Sequence, residues 1–206
     1  MMNVVLITGG IGSGKSVVSE YLRSMGIPVY DTDSRTKALY DIDMNLSRQL
    51  ESLIGTTLRS PDGKFDRKKF AEAIFSSGNL LPEVEKIVHP AVLEDFRQWC
   101  NQLSARSRFV CMESAIALEK PLFIGTYQIV VMVDAPEGIR LARACSRDGA
   151  SKDAIQARMR KQHLDYSKAD YIIENIGSKS ELEKKTIEVF RQIAERFAAR
   201  KNTMKI

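Results

Sequence analysis

Apolar residues recur along this chain in two rhythms, and their alternation sets the order of the expected elements. Val4, Val5, Leu6 and Ile7 make a short continuous apolar run ending at Thr8, the mark of a strand buried on both faces. From Lys15 the interval changes: Val17, Val18, Tyr21, Leu22 and Met25 fall at helical spacing until Gly26 stops the helix. Ile27, Pro28, Val29 and Tyr30 read as a second strand ending at Asp31. Residues from about 34 to 104 then follow helical spacing throughout. A helix opens over 34–39, and a second spans 45–54 with Leu46, Leu50, Leu53 and Ile54 on one face and Gly55 as its stop. Pro61-Asp62-Gly63 signals a turn before a third helix over 64–75, with Phe65, Phe70, Ala73, Ile74 and Phe75 on its apolar face. Residues 80–103 carry Val84, Ile87, Val88, Val92, Leu93, Phe96 and Trp99, interrupted by Pro90, which predicts a kink or two helices meeting near His89.

The strand rhythm returns at 109–112 and 129–133, two more buried parallel-type strands. Pro136 and Glu137 begin a helix, 151–162 continues helically, and 171–173 reads as the last strand. Residues 180–200 form an amphipathic helix whose core face is Leu182, Ile187, Phe190, Ile193 and Phe197. The pattern is α/β, with a mostly helical insertion between two strand-bearing regions.

Glycines between the first strand and the first helix change this picture from architecture to chemistry. Residues 4–16 read VVLITGGIGSGKS and fit G-x-x-x-x-G-K-[ST] with Gly9 and Gly14 at the fixed positions. Triphosphate binding needs backbone N–H groups turned inward, so Gly12, Ser13, Gly14, Lys15, Ser16 and Val17 are the expected nucleotide contacts, with the helix N-terminus adding its dipole. Lys15 reaches the β and γ phosphates, and the Ser16 hydroxyl is offered to magnesium. ATP and Mg2+ are therefore the expected cofactors.

Carboxylates at strand ends are the next candidates. Asp31 and Asp33 close the second strand, either to position a metal or accept a proton from an attacking hydroxyl, or to cap the following helix through Asp33 or Ser34. Glu113, just past the third strand, is placed to hold magnesium through water, and better placed than Asp134, which equally suits capping of the next helix. His89 stands at a proline corner where a structural role is commoner than a catalytic one. Arg140, Arg143 and Arg147, followed by Arg158, Arg160 and Lys161, meet few carboxylates in sequence, so they read as a basic flap over ATP rather than a surface ion-pair network.

Composition narrows the class without naming the reaction. The 206 residues suit one domain with an inserted subdomain, and 44% hydrophobic with 28% charged residues is ordinary for a globular protein. No apolar run approaches membrane-spanning length and no signal-peptide pattern opens the chain, so a cytoplasmic location is expected. Three cysteines, Cys100, Cys111 and Cys145, match no zinc or redox spacing, and two histidines disfavour a histidine-built metal site. The net charge of +5 suits polyanionic ligands such as nucleotides and non-specific nucleic-acid contact, though a solvated basic surface accounts for it as well. A guanine-nucleotide switch is disfavoured, because neither D-x-x-G nor N-K-x-D occurs.

Taken in order, TGGIGSGKS, Asp31-Thr32-Asp33, Asp66-Arg67, His89-Pro90, the R-x-x-x-R-D of Arg143 to Asp148, and Ala169-Asp170 leading to Asn175 and Gly177 resemble the dephospho-CoA kinase family over nearly the whole length. The resemblance implies a P-loop kinase three-layer fold with a parallel five-stranded sheet, an inserted helical subdomain for the CoA moiety and an arginine-bearing lid. The core then lies at about 1–33, 105–146 and 168–206, the helical subdomain at about 34–104 and the lid at about 147–167. It implies transfer of the ATP γ-phosphate to the ribose 3′-hydroxyl of dephospho-CoA, the last step of CoA synthesis. Asp33 would then be the general base, Lys15 the phosphate clamp, Ser16 the magnesium ligand, and Arg143 and Arg147 the stabilisers of the transferring phosphoryl. Thr8, Arg67 and His89 would lie around the acceptor and Asn175 near the adenine. The implied partners are ATP and dephospho-CoA, with no nucleic acid, no membrane and no assigned oligomeric state. Another small-metabolite kinase, or a non-catalytic nucleotide switch, remains the alternative on the residues alone. The chain departs from the family pattern at residues 113–119, ESAIALE, and at Val17, where threonine is usual.

Overall fold

The computed structural model describes residues 2–76, 80–103 and 107–203. In chain order the strands and helices are β1 (Val4–Thr8), α1 (Lys15–Ser24), β2 (Val29–Asp31), α2 (Thr32–Ile42), α3 (Met44–Ile54), α4 (Arg67–Ser76) and α5 (Leu80–Gln102). They continue with β3 (Val110–Glu113), β4 (Ile129–Asp134), α6 (Glu137–Asp148), α7 (Lys152–Arg160), β5 (Tyr171–Glu174) and α8 (Lys179–Thr203). The chain forms two compact units, Met1–Tyr30 with Leu103–Ile206, and Asp31–Gln102. Ser104 and Ala105, where the sequence puts a boundary, lie outside the described residues, as does the side chain of Phe75.

The first unit is built on a five-stranded parallel sheet in the order β2-β3-β1-β4-β5. Successive connections leave β1 first toward β2 and β3 and later toward β4 and β5. The carboxyl end of β1 therefore lies at the switch point where open α/β sheets bind ligands. Every residue of β1 is buried, which its unbroken apolar run requires. Val5 and Ile7 of β1 and Ile129, Val131 and Val133 of β4 join one apolar cluster with Val18 and Leu22 of α1 and Leu182, Phe190, Ile193 and Phe197 of α8. Phe109 stacks on Phe190 with centroids 6.2 Å apart.

One position on α8 departs from the expected face. Ile187 is 45% exposed, and Thr186 is buried in its stead, donating its hydroxyl to the Leu182 carbonyl at 2.7 Å. That bond lets a polar side chain sit under the helix without an unpaired donor. The start of α8 is fixed by a reciprocal cap: Ser178 N–H donates to a Glu181 carboxylate oxygen at 2.6 Å, and Glu181 N–H to the Ser178 hydroxyl at 3.2 Å.

The second unit is helical. Asp31, not Asp33 or Ser34, caps α2, its Oδ1 accepting from the N–H groups of Asp33 at 3.0 Å and Ser34 at 3.1 Å. Asp43 caps α3 in the same way, and Gly55 ends it at φ +77°. The fourth helix begins at Arg67 rather than at 64, because Phe65 is taken into a bridge with Arg59 and the Asp66 carboxylate accepts the Lys69 N–H at 2.9 Å. Tyr40, Phe65 and Phe70 pack as a triplet with centroid separations of 4.7, 5.4 and 5.2 Å. Pro90 does not divide α5: a single helix of 23 residues runs through it. Val84 and Val88 before the proline and Val92, Leu93 and Phe96 after it are all buried, so packing on both sides outweighs the one lost hydrogen bond. A forked ion pair ties α2 to α5, with Arg35 Nε and Nη2 donating to the Asp95 carboxylate at 2.9 and 2.6 Å.

Candidate active site

The glycine loop leaves β1 and enters α1 through turns that only glycine tolerates. A Cβ on Gly9 would lie 2.1 Å from the Val133 carbonyl oxygen, and one on Gly12 2.1 Å from the Arg140 carbonyl oxygen. Gly12 also has φ +76° and Gly14 φ +104°. The glycines are therefore needed to seat the loop against β4 and α6, beyond any need to admit phosphate. Ser13 is fully buried, and its carbonyl accepts from Asn175 Nδ2 at 2.8 Å.

Lys15 folds back over its own loop, donating to the carbonyls of Gly9 at 2.8 Å and Gly10 at 3.2 Å. This curls the loop around the position an anion takes, with the cation at its centre. The register of β1 and β3 pairs Ile7 with Glu113, which brings that carboxylate beside the loop. Ser16 Oγ donates to Glu113 Oε1 at 2.9 Å, and Glu113 is buried. The two residues expected to position magnesium are thus in contact, and both offer hard oxygen atoms of the kind that ion takes.

A cleft of about 380 Å³ opens over the start of α1. Gly12, Gly14, Lys15, Ser16 and Val17 line it from the loop side, and Arg143, Arg147 and Asn175 face them. Arg143 and Arg147 stand one turn apart on α6, which is why both reach the same cleft. Arg143 donates to the Asn175 backbone carbonyl at 3.0 Å, so the buried Asn175 joins that arginine to the loop at Ser13. Arg147 donates to Asp148 through Nε at 2.6 Å, and Arg158 donates to the same carboxylate at 2.9 Å. These arginines hold the Asp148 carboxyl down to about 2, hydrogen bonding by Arg147 being the leading cause. The basic run is therefore offset by one carboxylate serving two cations, a small ion-pair network the sequence reading had set aside.

Asp134 does not cap α6; Pro136 precedes that helix without a side-chain cap, and Asp134 Oδ1 instead accepts from the Tyr166 hydroxyl at 2.8 Å. Thr8 is buried at the end of β1. Asp33, Arg67 and His89 belong to the helical unit, on α2, α4 and α5 in turn. With Asp31 as the cap, the Asp33 carboxylate is exposed in the first turn of α2. Arg67 pairs with Asp41 and donates to the Lys37 carbonyl at 2.9 Å. The Asp41 carboxyl is lowered first by the Phe65 N–H and then by Arg67. Among the described residues no group of three or more His, Cys, Asp or Glu side chains forms a metal cluster.

Gly177 of the Asn175-to-Gly177 segment also lines the cleft, as does Lys179, which sequence reasoning passed over. A lysine opening a helix directly after an Asn-x-Gly turn was the available signal. Gln162, which meets the loop at Ile11, carried none, and Arg140, read from the sequence as part of the basic flap, packs against Gly10 and Gly12.

Comparison with known proteins identifies the family. The dephospho-CoA kinase family model matches residues 3–181. A dephospho-CoA kinase of Porphyromonas gingivalis is 45% identical over 178 residues, covering 84% of this chain and 86% of the relative. The crystal structure of TT1252 from Thermus thermophilus superposes with a TM-score of 0.77 at 31% identity, covering 93% of this chain and 97% of that one. A dephospho-CoA kinase from Campylobacter jejuni, at 23% identity and a TM-score of 0.62 over 94% of this chain and 98% of its own, shares the fold. With its glycine loop, its parallel sheet and these relatives, the chain belongs to the dephospho-CoA kinase family.

Proposed function

We propose that this protein transfers the γ-phosphate of ATP to the ribose 3′-hydroxyl of dephospho-CoA, giving CoA and ADP, with magnesium in attendance. The observation that carries the reading is one cleft in which Arg143 and Arg147 face a glycine loop that carries Lys15 and the Ser16 hydroxyl, the latter in contact with Glu113. Phosphoryl transfer needs in-line placement and neutralised charge more than covalent help, and this set supplies the cations that neutralise charge.

In this reading the loop amides from Gly12 to Val17 hold the phosphates, and Lys15 exchanges the Gly9 and Gly10 carbonyls for β and γ oxygens. Ser16 would ligate the magnesium directly and Glu113 through water. The ion, when bound, neutralises charge on the β and γ phosphates. Arg143 and Arg147 stabilise charge on the group in transit, Arg147 leaving Asp148 to do so. Asp33 accepts the proton of the attacking hydroxyl, a role suited to a carboxylate left outside the helix cap. Thr8, Arg67 and His89 surround the acceptor, and Asn175 borders the adenine. The helical unit receives the CoA moiety, and about residues 147–167 act as the lid. The partners are the two small molecules, without nucleic acid or membrane, and the location is cytoplasmic.

The test is ADP formation measured with dephospho-CoA against AMP, shikimate and gluconate as acceptors. Turnover with dephospho-CoA alone is the expected result, and equal turnover with another acceptor would sink the assignment. Asp33→Asn is expected to keep ATP affinity while lowering turnover by about two to four orders of magnitude. Unchanged turnover removes Asp33 from the chemistry.

A further inference from the structure

The cleft accounts for the inner side of the glycine loop, but its outer side is held as well. After α7 ends, Gln162 and Leu164 meet the loop and Tyr166 meets the end of β4 beside it. Gln162 Oε1 accepts the Ile11 backbone N–H at 2.7 Å, across 151 positions of sequence. Leu164 Cδ1 lies 3.2 Å from where a Cβ on Gly10 would stand. Tyr166 donates its hydroxyl to Asp134, directly after the strand residue whose carbonyl abuts Gly9. The Ile11 side chain is fixed too, packed against the apolar cluster of Leu141, Ala144, Ile155 and Met159 between α6 and α7. Neither Ile11 nor Gln162 lines the cleft.

We propose that Gln162 is a positioning residue for ATP: by taking the Ile11 N–H on the outside of the loop, it fixes the peptide planes whose neighbours must present their N–H groups to phosphate on the inside. A loop so short has few ways to arrange successive amides, and pinning one plane outward removes the competing ones. Lys15 and Ser13 hold the same stretch from within, through the Gly10 carbonyl, at 3.2 and 3.1 Å. The outer bond comes from the segment that follows α7, which also sets Leu164 against Gly10. The Ile11 side chain packs on the apolar cluster of α6 and α7, so Gln162 and Ile11 together join the arginine-bearing helices to the phosphate cradle.

The inference rests on the ATP-binding reading of the cleft, and the test separates the two. Gln162→Leu removes the acceptor at similar volume, while Gln162→Glu keeps one. In the Leu variant the KM for ATP is expected to rise about three- to tenfold, the equivalent of one net hydrogen bond, with kcat and the KM for dephospho-CoA within about twofold of wild type. The Glu variant is expected to recover most of the ATP affinity. Amide hydrogen exchange without ATP supplies a readout independent of activity: Ile11 is protected in the wild type and in Gln162→Glu, and exposed in Gln162→Leu. An unchanged ATP KM in the Leu variant, an equal rise for both substrates, or a wild-type Ile11 amide exchanging at the rate of a free chain each overturns the proposal. If Gln162→Leu fails to fold, the wild-type exchange and the Glu variant still decide it. A wild type that forms no ADP with dephospho-CoA defeats the functional reading instead, and ATP affinity by calorimetry then replaces KM in the comparison.

Discussion

A methyl group on Gly12 would sit 2.1 Å from the Arg140 carbonyl oxygen, in a backbone already at φ +76°. Gly149 has φ +61° but open space around it, so the pair separates two costs that glycine avoids. Gly149→Ala is expected to lose about 1–2 kcal/mol through its left-handed backbone alone and to leave ATP affinity unchanged. Gly12→Ala carries the same strain plus a displacement of the loop from α6, and is expected to raise the KM for ATP more than about tenfold. Thermal melts and ATP titrations of the two variants check this, and equal behaviour would show that close packing on α6 is irrelevant. Lys15 and Ser16 were legible in the sequence because a local motif carries them within a few positions of each other. The bond from Gln162 to Ile11 was not: a glutamine far along the chain has no local pattern, and only the fold brings it to the loop. Asp31 and Asp33 show an intermediate case. The sequence offered capping and catalysis for the same short stretch, and the structure gives the cap to Asp31.

That cap belongs to the scale of the helix. Asp31→Ala leaves two N–H groups of α2 without their acceptor and is expected to cost about 1 kcal/mol in urea unfolding. Asp33→Ala, which removes no cap, is expected to cost less than about 0.5 kcal/mol. The hairpin of α6 and α7 carries a second prediction at this scale. Asp148 binds Arg147 and Arg158, and its folded value of about 2 lies below the ordinary carboxylate value of about 4. A depressed folded value means the contribution is complete above about pH 4 and is lost as pH falls toward 2. The gap in melting temperature between wild type and Asp148→Asn should therefore be present at pH 6 and shrink on acidification, and a gap that widens contradicts the ion pairs. Helix limits were mostly readable from periodicity. Pro90 was not, because local chemistry argues for a break while buried valines on either side hold α5 together. Thr186 taking the place of Ile187 has a similar cause, a hydroxyl satisfied by its own helix.

Across the whole molecule, the parallel sheet and the helices covering it form the scaffold that holds the loop at its switch point. Ile193 lies in the cluster that joins α8 to the sheet, and is fully buried. Ile193→Ala is expected to cost about 2–5 kcal/mol of stability while leaving the KM for ATP unchanged, since it lies away from the cleft. A loss of ATP affinity without a fall in stability would mean the sheet's packing and the site are not separable in this way. The amino-acid sequence alone determined the class of fold, the glycine loop with its lysine and serine, and the family. These are written in short-range spacing, where a period of two or of 3.6 residues and a turn of glycines act within a few positions. Tertiary structure alone decided that Ser16 and the carboxylate chosen from the sequence, Glu113, touch each other, which carboxylate gathers Arg147 and Arg158, and which side chains brace the loop from outside. The Asp148 pairs depend on how α7 folds back on α6, while the contacts of Ser16 with Glu113 and of Gln162 with Ile11 join residues about a hundred or more positions apart, so none of them leaves a trace in local periodicity.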